Sequence, residues 1–361
     1  MNNLKTFKKH VYSSLILILS CLFLSGCAPI SGYSSWRQDP DNWNDYATYN
    51  KIVNGVPYTT TENESDASDT ADLISDDPVA NHSDASNSGE SLSTGCDVYF
   101  LDVGQGACTL FVFDNSVLII DGGDRDTSSY VVSYLQKTLS LPKIDAMIAT
   151  HYDSDHISGL IGCLTAYKGY IGTVFDPHVE SDTQTYKSYI GAVDQSGAQR
   201  IHPQAGDKYS IDSAIIEFIG PVSYTYDDDN NNSLVTKFIY GDTSFLIPGD
   251  AELDSINDML RSDFTADLDS DVYLFSHHGS AGAFSSDFLG AISPSYTVIQ
   301  CGRNNSYGHP HKEIMQYLHD TGIPFYRTDL QNEIVCHSDG KNITFDLNPS
   351  TDYRNGTALS E

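Results

Sequence analysis

One stretch limits the possible folds more than any other: Ile144–Gly159, IDAMIATHYDSDHISG. The apolar run IDAMIAT reads as a buried strand, and ISGLIGCLTAY as a helix, so the chain turns at the residues between them. Those residues include His151, Asp153, Asp155 and His156, two imidazoles and two carboxylates within six positions. Side chains alternate in direction along extended backbone, so His151 and Asp153 can point to one side. A turn at Asp155–His156 then swings the second pair to a neighbouring point. Acidic surface loops contain Asp pairs, but not with flanking histidines after a buried strand. The stretch can supply ligands for two adjacent divalent metal ions.

From Cys96 onward the texture is that of an α/β chain. DVYFLDVG, CTLFVF and SVLIIDGG are short apolar runs separated by turn residues, as expected of successive strands. TSSYVVSYLQKTL places Val131, Tyr134, Leu135 and Leu139 at helical spacing after a Thr/Ser cap. The second half repeats the alternation. SAIIEFIG, SLVTKFIYG and SFLIPGD read as strands, ELDSINDML as a helix, and DVYLFS and YTVIQCG as strands. HKEIMQYLHDTG reads as a helix ending at Gly322, and EIVCHS and NITFDL as closing strands. This rhythm predicts one α/β domain over residues 96–348, two β-sheets sandwiched between helices, with residues 349–361 as a C-terminal tail.

The upstream residues read differently. MNNLKTFKKHVYSSLILILSCLFLSGC, residues 1–27, has a basic start, an apolar core and small residues before Cys27. That layout is an export signal rather than a spanning helix. Its end, LSGC, resembles a bacterial lipobox. It implies lipidation of Cys27 and a lipid anchor in the membrane, with the protein on the outer face of a cytoplasmic membrane or released from it. Residues 28–95, dominated by Ser, Asp, Asn, Thr and Tyr, read as a flexible acidic stalk.

The sequence carries a formal net charge of −30, and residues 96–361 alone hold 37 acidic against 14 basic residues. Such a domain repels polyanions at long range, and no Lys/Arg cluster that would grip phosphates follows Cys96. Composition argues against tight, sequence-general nucleic-acid binding. Cys96, Cys108, Cys163, Cys301 and Cys336 lack CxxC spacing, which speaks against a zinc ribbon, and are expected as buried thiols.

The strand-end stretch resembles the HxHxDH motif of the metallo-β-lactamase fold, with Asp153 in place of the second histidine. With FLDVGQG (Phe100–Gly106), this HxDxDH form is similar to the competence-protein (ComEC-like) branch of that superfamily. Further motifs recur in the family's order. They are LIIDGG (Leu118–Gly123), NNNSLV (Asn230–Val235), LIPGDAE (Leu246–Glu252), FSHHGS (Phe275–Ser280) and NSYGHPH (Asn305–His311). YRTDLQNEI resembles the family's last hairpin. Any motif alone is weak; the ordered set is specific.

The resemblance implies an αββα sandwich of two mixed β-sheets flanked by helices. It implies that His151 and Asp153 hold one metal, that Asp155, His156 and His309 hold the other, and that Asp250 bridges them. His277 or His278 completes the first site or acts on the leaving group. His277 is taken as the ligand, and His278 as catalytic beside Asp155 and Asp250. Asp121 would hold a ligand in place, and Asn232 would serve the site wall or a backbone turn. Ala107 departs from the family, which continues GQG with aspartate. Asn231–Ser233 stands where the wider superfamily has a third histidine. The competence proteins carry a multi-helix membrane channel that this sequence does not show, so it is not expected to translocate DNA by itself.

Two metals about 3.5–4 Å apart can clamp a phosphodiester and generate hydroxide at neutral pH. Three carboxylates leave two divalent ions with net positive charge, which favours an anionic substrate. Carboxylate in place of imidazole shifts preference from zinc toward manganese. The expected function is an extracytoplasmic metal-dependent hydrolase, a phosphodiesterase or nuclease. The alternatives are a phosphorylcholine-esterase-like hydrolase of a cell-wall polymer or small phosphodiester, and a non-catalytic binding lipoprotein. No partner protein is evident in the sequence.

Overall fold

The structure is a computed structural model and describes residues 95–360. The expected export signal, Cys27 and the stalk up to residue 94 lie outside the described residues. Burial on both faces explains the legible strands. In β3 (Ser116–Ile120), Leu118 and Ile120 face one apolar layer while Ile119 faces another. In β10 (Thr243–Ile247), Phe245 and Ile247 share the first of these layers and Leu246 faces a third. Strands covered on both sides read as continuous apolar runs.

Around β3 assemble β1 (Cys96–Phe100), β2 (Thr109–Phe113), β4 (Ile144–Ile148), β5 (Ile171–Phe175), β6 (Gln199–Ile201), β14 (Ile334–Ser338) and β15 (Ile343–Phe345). Among the described residues they form an eight-stranded sheet in the order β15-β14-β1-β2-β3-β4-β5-β6. Around β10 assemble β7 (Lys208–Ile211), β8 (Ala214–Gly220), β9 (Val235–Tyr240), β11 (Val272–Leu274), β12 (Tyr296–Ile299) and β13 (Phe325–Arg327). This second sheet runs β13-β12-β11-β10-β9-β8-β7. Both are mixed: antiparallel from β15 to β3 and from β7 to β10, parallel from β3 to β6 and from β10 to β13.

Between the sheets, Phe111, Ile148 and Phe175 meet Phe218, Phe238 and Leu274. The Phe111 and Phe238 rings lie 4.1 Å apart. Phe238 is fully buried, so its truncation to Ala would cost about 3–5 kcal/mol. Helices α1 (Ser128–Ser133), α2 (Ser154–Ala166) and α3 (Gln184–Ser196) cover the first sheet through Val131, Leu160, Leu164 and Tyr189. Helices α4 (Leu253–Arg261), α5 (Ser286–Ile292) and α6 (Lys312–Thr321) cover the second through Ile256, Met259, Phe288 and Leu318. The expected sandwich is present. In such α/β layers, sites form beyond the carboxyl ends of the parallel strands. The loops after β3, β4, β10, β11 and β12 carry Asp121, His151–His156, Asp250, His277–His278 and His309.

Some elements differ from expectation. YRTDLQNEI is not a hairpin: β13 and β14 belong to different sheets, joined by the short helix α7 (Thr328–Gln331). α3 and α5 were not read from the sequence. In α3 only Tyr189, Ala192, Val193 and Ser196 are buried, so its apolar stripe is thin. Residues 349–360, set apart above as a tail, are tied to β13, where Ser350 N–H donates to the Phe325 carbonyl at 2.7 Å, and end in α8 (Gly356–Ser360). Arg327, fully buried and paired with Asp329 at 2.7 Å, donates from Nη1 to the Arg354 carbonyl at 2.6 Å and the Asp352 carbonyl at 3.4 Å. Gly356 N–H reaches the Pro310 carbonyl at 3.0 Å, directly beside His309. No helix among the described residues is long and apolar enough to cross a membrane. The five described cysteines are free and buried, as expected.

Candidate metal centre

Helix α2 begins inside the ligand stretch. Asp153 is its N-cap in extended backbone, with a half-exposed carboxylate that makes no capping bond. Asp155 and His156 occupy the first helical turn, so their side chains leave the direction set by the strand. That turn is pinned from outside: Gly122 N–H donates to the His156 carbonyl at 2.7 Å and Ala107 N–H to the Asp155 carbonyl at 3.2 Å. The helix approaches the LIIDGG turn so closely that a Cβ on Gly159 would lie 1.7 Å from the Gly122 carbonyl oxygen. Only glycine fits there.

Asp121, buried and held at φ 56°, organises both early histidines. Its Oδ1 accepts from Thr150 N–H at 2.9 Å, and its Oδ2 accepts from Thr150 Oγ1 and faces His156 Nδ1, both at 2.8 Å. Thr150 Oγ1 in turn lies 3.1 Å from His151 Nδ1. Asp121 therefore aims His156 directly and His151 through Thr150. A non-glycine residue in the left-handed region is strained, and such strain concentrates at functional sites.

Asp250 enters from the turn after β10. Gly249 permits this at φ 57°, where a Cβ would lie 2.6 Å from Thr150. Asp250 N–H bonds Ser233 Oγ at 3.2 Å, and Asn231 Oδ1 accepts from Glu252 N–H and Ser255 N–H, each at 3.1 Å. The NNNSLV motif thus holds the Gly-Asp turn in place. Asn232 is buried and donates weakly to the Tyr226 carbonyl at 3.5 Å.

The adjacent His277 and His278 both adopt left-handed backbone, at φ 48° and 56°, and part company. Buried His278 faces the Gln300 carbonyl with Nδ1 at 2.9 Å, and its Nε2 lies 3.3 Å from Asp155 Oδ2 and 3.5 Å from Asp250 Oδ2. The side chain of His277 is 23% exposed, and its Nδ1 is held by Glu252 at 2.9 Å. Its Nε2 lies 3.5 Å from Asp250 Oδ2. The buried ring of His309 sits with its centroid 5.5 Å from that of His277 and 6.2 Å from that of His278.

Two groups of ligand atoms converge: His151, His156 and Asp250 in one, Asp155, His156 and His278 in the other. Asp153, 3.8 Å from His151 Nε2, stands at the rim, and neither group includes His277 or His309. His151 Nε2, His156 Nε2 and His278 Nε2 are buried and make no aligned hydrogen bond, although those of His156 and His278 lie 3.2–3.5 Å from oxygens of Asp250 and Asp155. Buried polar atoms are normally paired, so three such nitrogens gathered around buried Asp250 and partly exposed Asp155 fit a cation-holding site.

The charges agree. Burial pushes the Asp250 carboxyl up, but His156 and His278 outweigh it and hold Asp250 well below the usual range. Burial opposes protonation of His278, yet Asp250 and Asp155 raise that ring to about 9. The cleft attracts positive charge, and a divalent ion there would displace protons. His309 goes the other way: burial first, then the neighbouring rings of His278 and His277, lower it to about 3.

The sequence did not single out Thr150, Asn231, Glu252, Gln300 or Gln105 as members of the site. Gln105, Asn231 and Glu252 fall inside recognised motifs, which was the available signal. Thr150 and Gln300 are uncharged residues whose partners are fixed only by folding.

This assembly of an early ligand loop, a Gly-Asp turn and late histidines between two mixed sheets is that of one superfamily. The profile of the metallo-β-lactamase superfamily matches residues 101–303, and the chain belongs to that superfamily. Within it, the chain is of the competence-protein type. It is 27% identical over 287 residues to ComE operon protein 3 of Bacillus subtilis, covering 72% of this chain and 35% of that protein. It is 27% identical over 233 residues to competence protein ComA of Neisseria gonorrhoeae, covering 64% and 31%. The chain thus spans about a third of the length of these relatives. Among solved structures, the metallo-β-lactamase fold protein YhfI of Bacillus subtilis aligns with a TM-score of 0.47 at 12% identity, covering 67% of this chain and all of YhfI.

Proposed function

We propose that the domain is a metal-dependent phosphodiesterase of nuclease type, acting outside the cytoplasm as part of a chain that is itself lipid-anchored. The observation that supports it most is a set of three buried imidazole nitrogens, those of His156 and His278 facing Asp250 and Asp155 and that of His151 grouped with Asp250. His156 with His151 and Asp250, or with Asp155 and His278, would hold one ion through its single free Nε2, and the remaining residues of the two groups would hold a second. When bound, such ions supply a water nucleophile active at neutral pH and offset charge on the reacting phosphoryl oxygens. His277, oriented by Glu252 and open to solvent, would in its protonated form pass the Nε2 proton to the departing alkoxide.

The acidic surface favours a second reading, in which the phosphodiester is small or linked to a wall polymer, such as a phosphorylcholine ester. Long nucleic acids meet repulsion from 37 acidic residues against 14 basic ones in residues 96–361. One panel separates the readings. The zinc- and manganese-loaded protein is assayed on bis(p-nitrophenyl) phosphate, single- and double-stranded DNA, phosphorylcholine esters and β-lactams. Metal-dependent cleavage of DNA supports the nuclease, and cleavage of small esters alone supports the second reading. Loaded protein that turns over no phosphodiester contradicts both. The anchor is tested by membrane fractionation, from which Cys27→Ala should release the chain.

A further inference from the structure

The imidazoles of this cleft are anchored in two opposite senses. His156, His277 and His278 turn Nδ1 to Asp121, Glu252 and the Gln300 carbonyl, groups that accept when ionised or unprotonated. His151 turns Nδ1 to Thr150 Oγ1, whose own proton goes to Asp121, so this hydroxyl also accepts. Each of these four rings, when neutral, carries its hydrogen on Nδ1 and leaves a lone pair on Nε2. That is the tautomer of a metal ligand.

His309 is the reverse. Its Nδ1 lies 3.3 Å from Gln105 Nε2. The orientation of the Gln105 amide follows from its other end, where Oε1 accepts from Gly302 N–H at 3.1 Å. An amide nitrogen only donates, so His309 Nδ1 accepts and the neutral ring carries its hydrogen on Nε2. The contact is built in: a Cβ on Gly302 would lie 2.6 Å from Gln105 N, so glycine lets the FLDVGQG loop reach the late histidine. The peptide around His309 is fixed as well. Asn305 donates to its carbonyl at 2.6 Å and accepts from its N–H at 3.0 Å. Independently, His309 belongs to neither group of converging ligand atoms although its ring lies beside both late histidines.

We propose that His309 is not a metal ligand but a catalytic hydrogen-bond donor, its Nε2–H binding a phosphoryl oxygen of the substrate. Gln105 is the positioning residue that sets its tautomer. This rests on the phosphodiesterase reading above and replaces the ligand role that family resemblance implies. A fixed neutral N–H stabilises negative charge as it develops on oxygen without giving up its proton, which in other enzymes is worth about 10²–10³ in kcat.

The first test needs no substrate. In zinc-loaded protein, two-bond ¹H–¹⁵N spectra of the rings should show the proton on Nε2 of His309 and on Nδ1 of His156 and His278. Gln105→Glu replaces the donor by an acceptor and should move the His309 proton to Nδ1, lowering kcat while metal content stays at the wild-type value. His309→Ala should lose about 100-fold in kcat with unchanged metal stoichiometry, and His309→Gln, which keeps an N–H donor, should recover part of that loss. A wild-type ring protonated on Nδ1, or loss of an ion in His309→Ala, overturns the proposal. If the spectra and metal counts come out as stated but no phosphodiester is cleaved, the substrate reading fails, and with it the catalytic role of His309, while the tautomer assignment stands.

Discussion

The early ligand loop and the late histidine loops solve the same problem in different ways. Between His151 and His156 the chain passes from strand end to helix start, and a single carboxylate, Asp121, orients both imidazoles. The late histidines take their orders from separate partners. His277 answers to Glu252, its neighbour His278 to the Gln300 carbonyl, and His309 to Gln105, 204 positions away in the chain. In the early loop, spacing decides the role of a residue. In the late loops the distant partner decides it, and adjacent histidines of one motif do different work.

The largest effect should come where the two regions meet. Asp250 touches both ligand groups, and Asp250→Asn keeps its shape while removing the charge between them. Activity on the phosphodiester found by the panel should fall at least ~100-fold, with loss of bound metal, as for disturbance of a metal site's immediate surroundings. Wild-type metal content and turnover in this variant would dissolve the link between the regions. Asp121→Asn should come next, because one change loosens both early imidazoles. We expect metal affinity to weaken about 10–100-fold, read by calorimetric titration. An effect confined to the late site would break the comparison.

Removal of residues 350–361 should act on the late side alone. It takes two carbonyl acceptors from the buried Arg327 guanidinium. Stability in urea should fall by roughly 3 kcal/mol, at about 1.5–3 kcal/mol for each bond to a charged group. Amide exchange should accelerate at residues 305–311, against which Gly356 packs, and not at 151–156. Equal acceleration in both loops would show that the strap serves the whole domain rather than the late half.

The smallest effect lies outside the cleft. His337 sits between Asp97 at 2.7 Å and Asp346 at 3.0 Å, and these carboxylates outweigh burial to raise its ring above the usual value. A raised folded pKa stabilises fully below the unfolded value of about 6.5 and is lost as pH rises through the folded one. Wild type should therefore exceed His337→Gln in urea midpoint at pH 5, and the difference should vanish at pH 9, with metal binding unaltered at both.

The sandwich was legible because its central strands are buried on both faces and leave apolar runs such as SVLII and SFLI. The early loop was legible because its four candidate ligands fall within six residues, although Asp153 joins neither converging group. α3 escaped notice because its buried stripe is thin, and the last hairpin was misread because the pairing of β13 and β14 with different sheets has no local signature. The roles of the late histidines were hidden for a physical reason. A histidine's tautomer is set by the atom facing Nδ1, and here those atoms come from Gln105, Glu252 and Gln300, which only folding brings near.

Metal counting on the purified protein tests the central claim most directly. After reconstitution with excess zinc or manganese and removal of free ions, elemental analysis should find two ions per chain, falling when His156, common to both ligand groups, is replaced by Ala. Fewer than one ion per chain in the wild type would contradict the account.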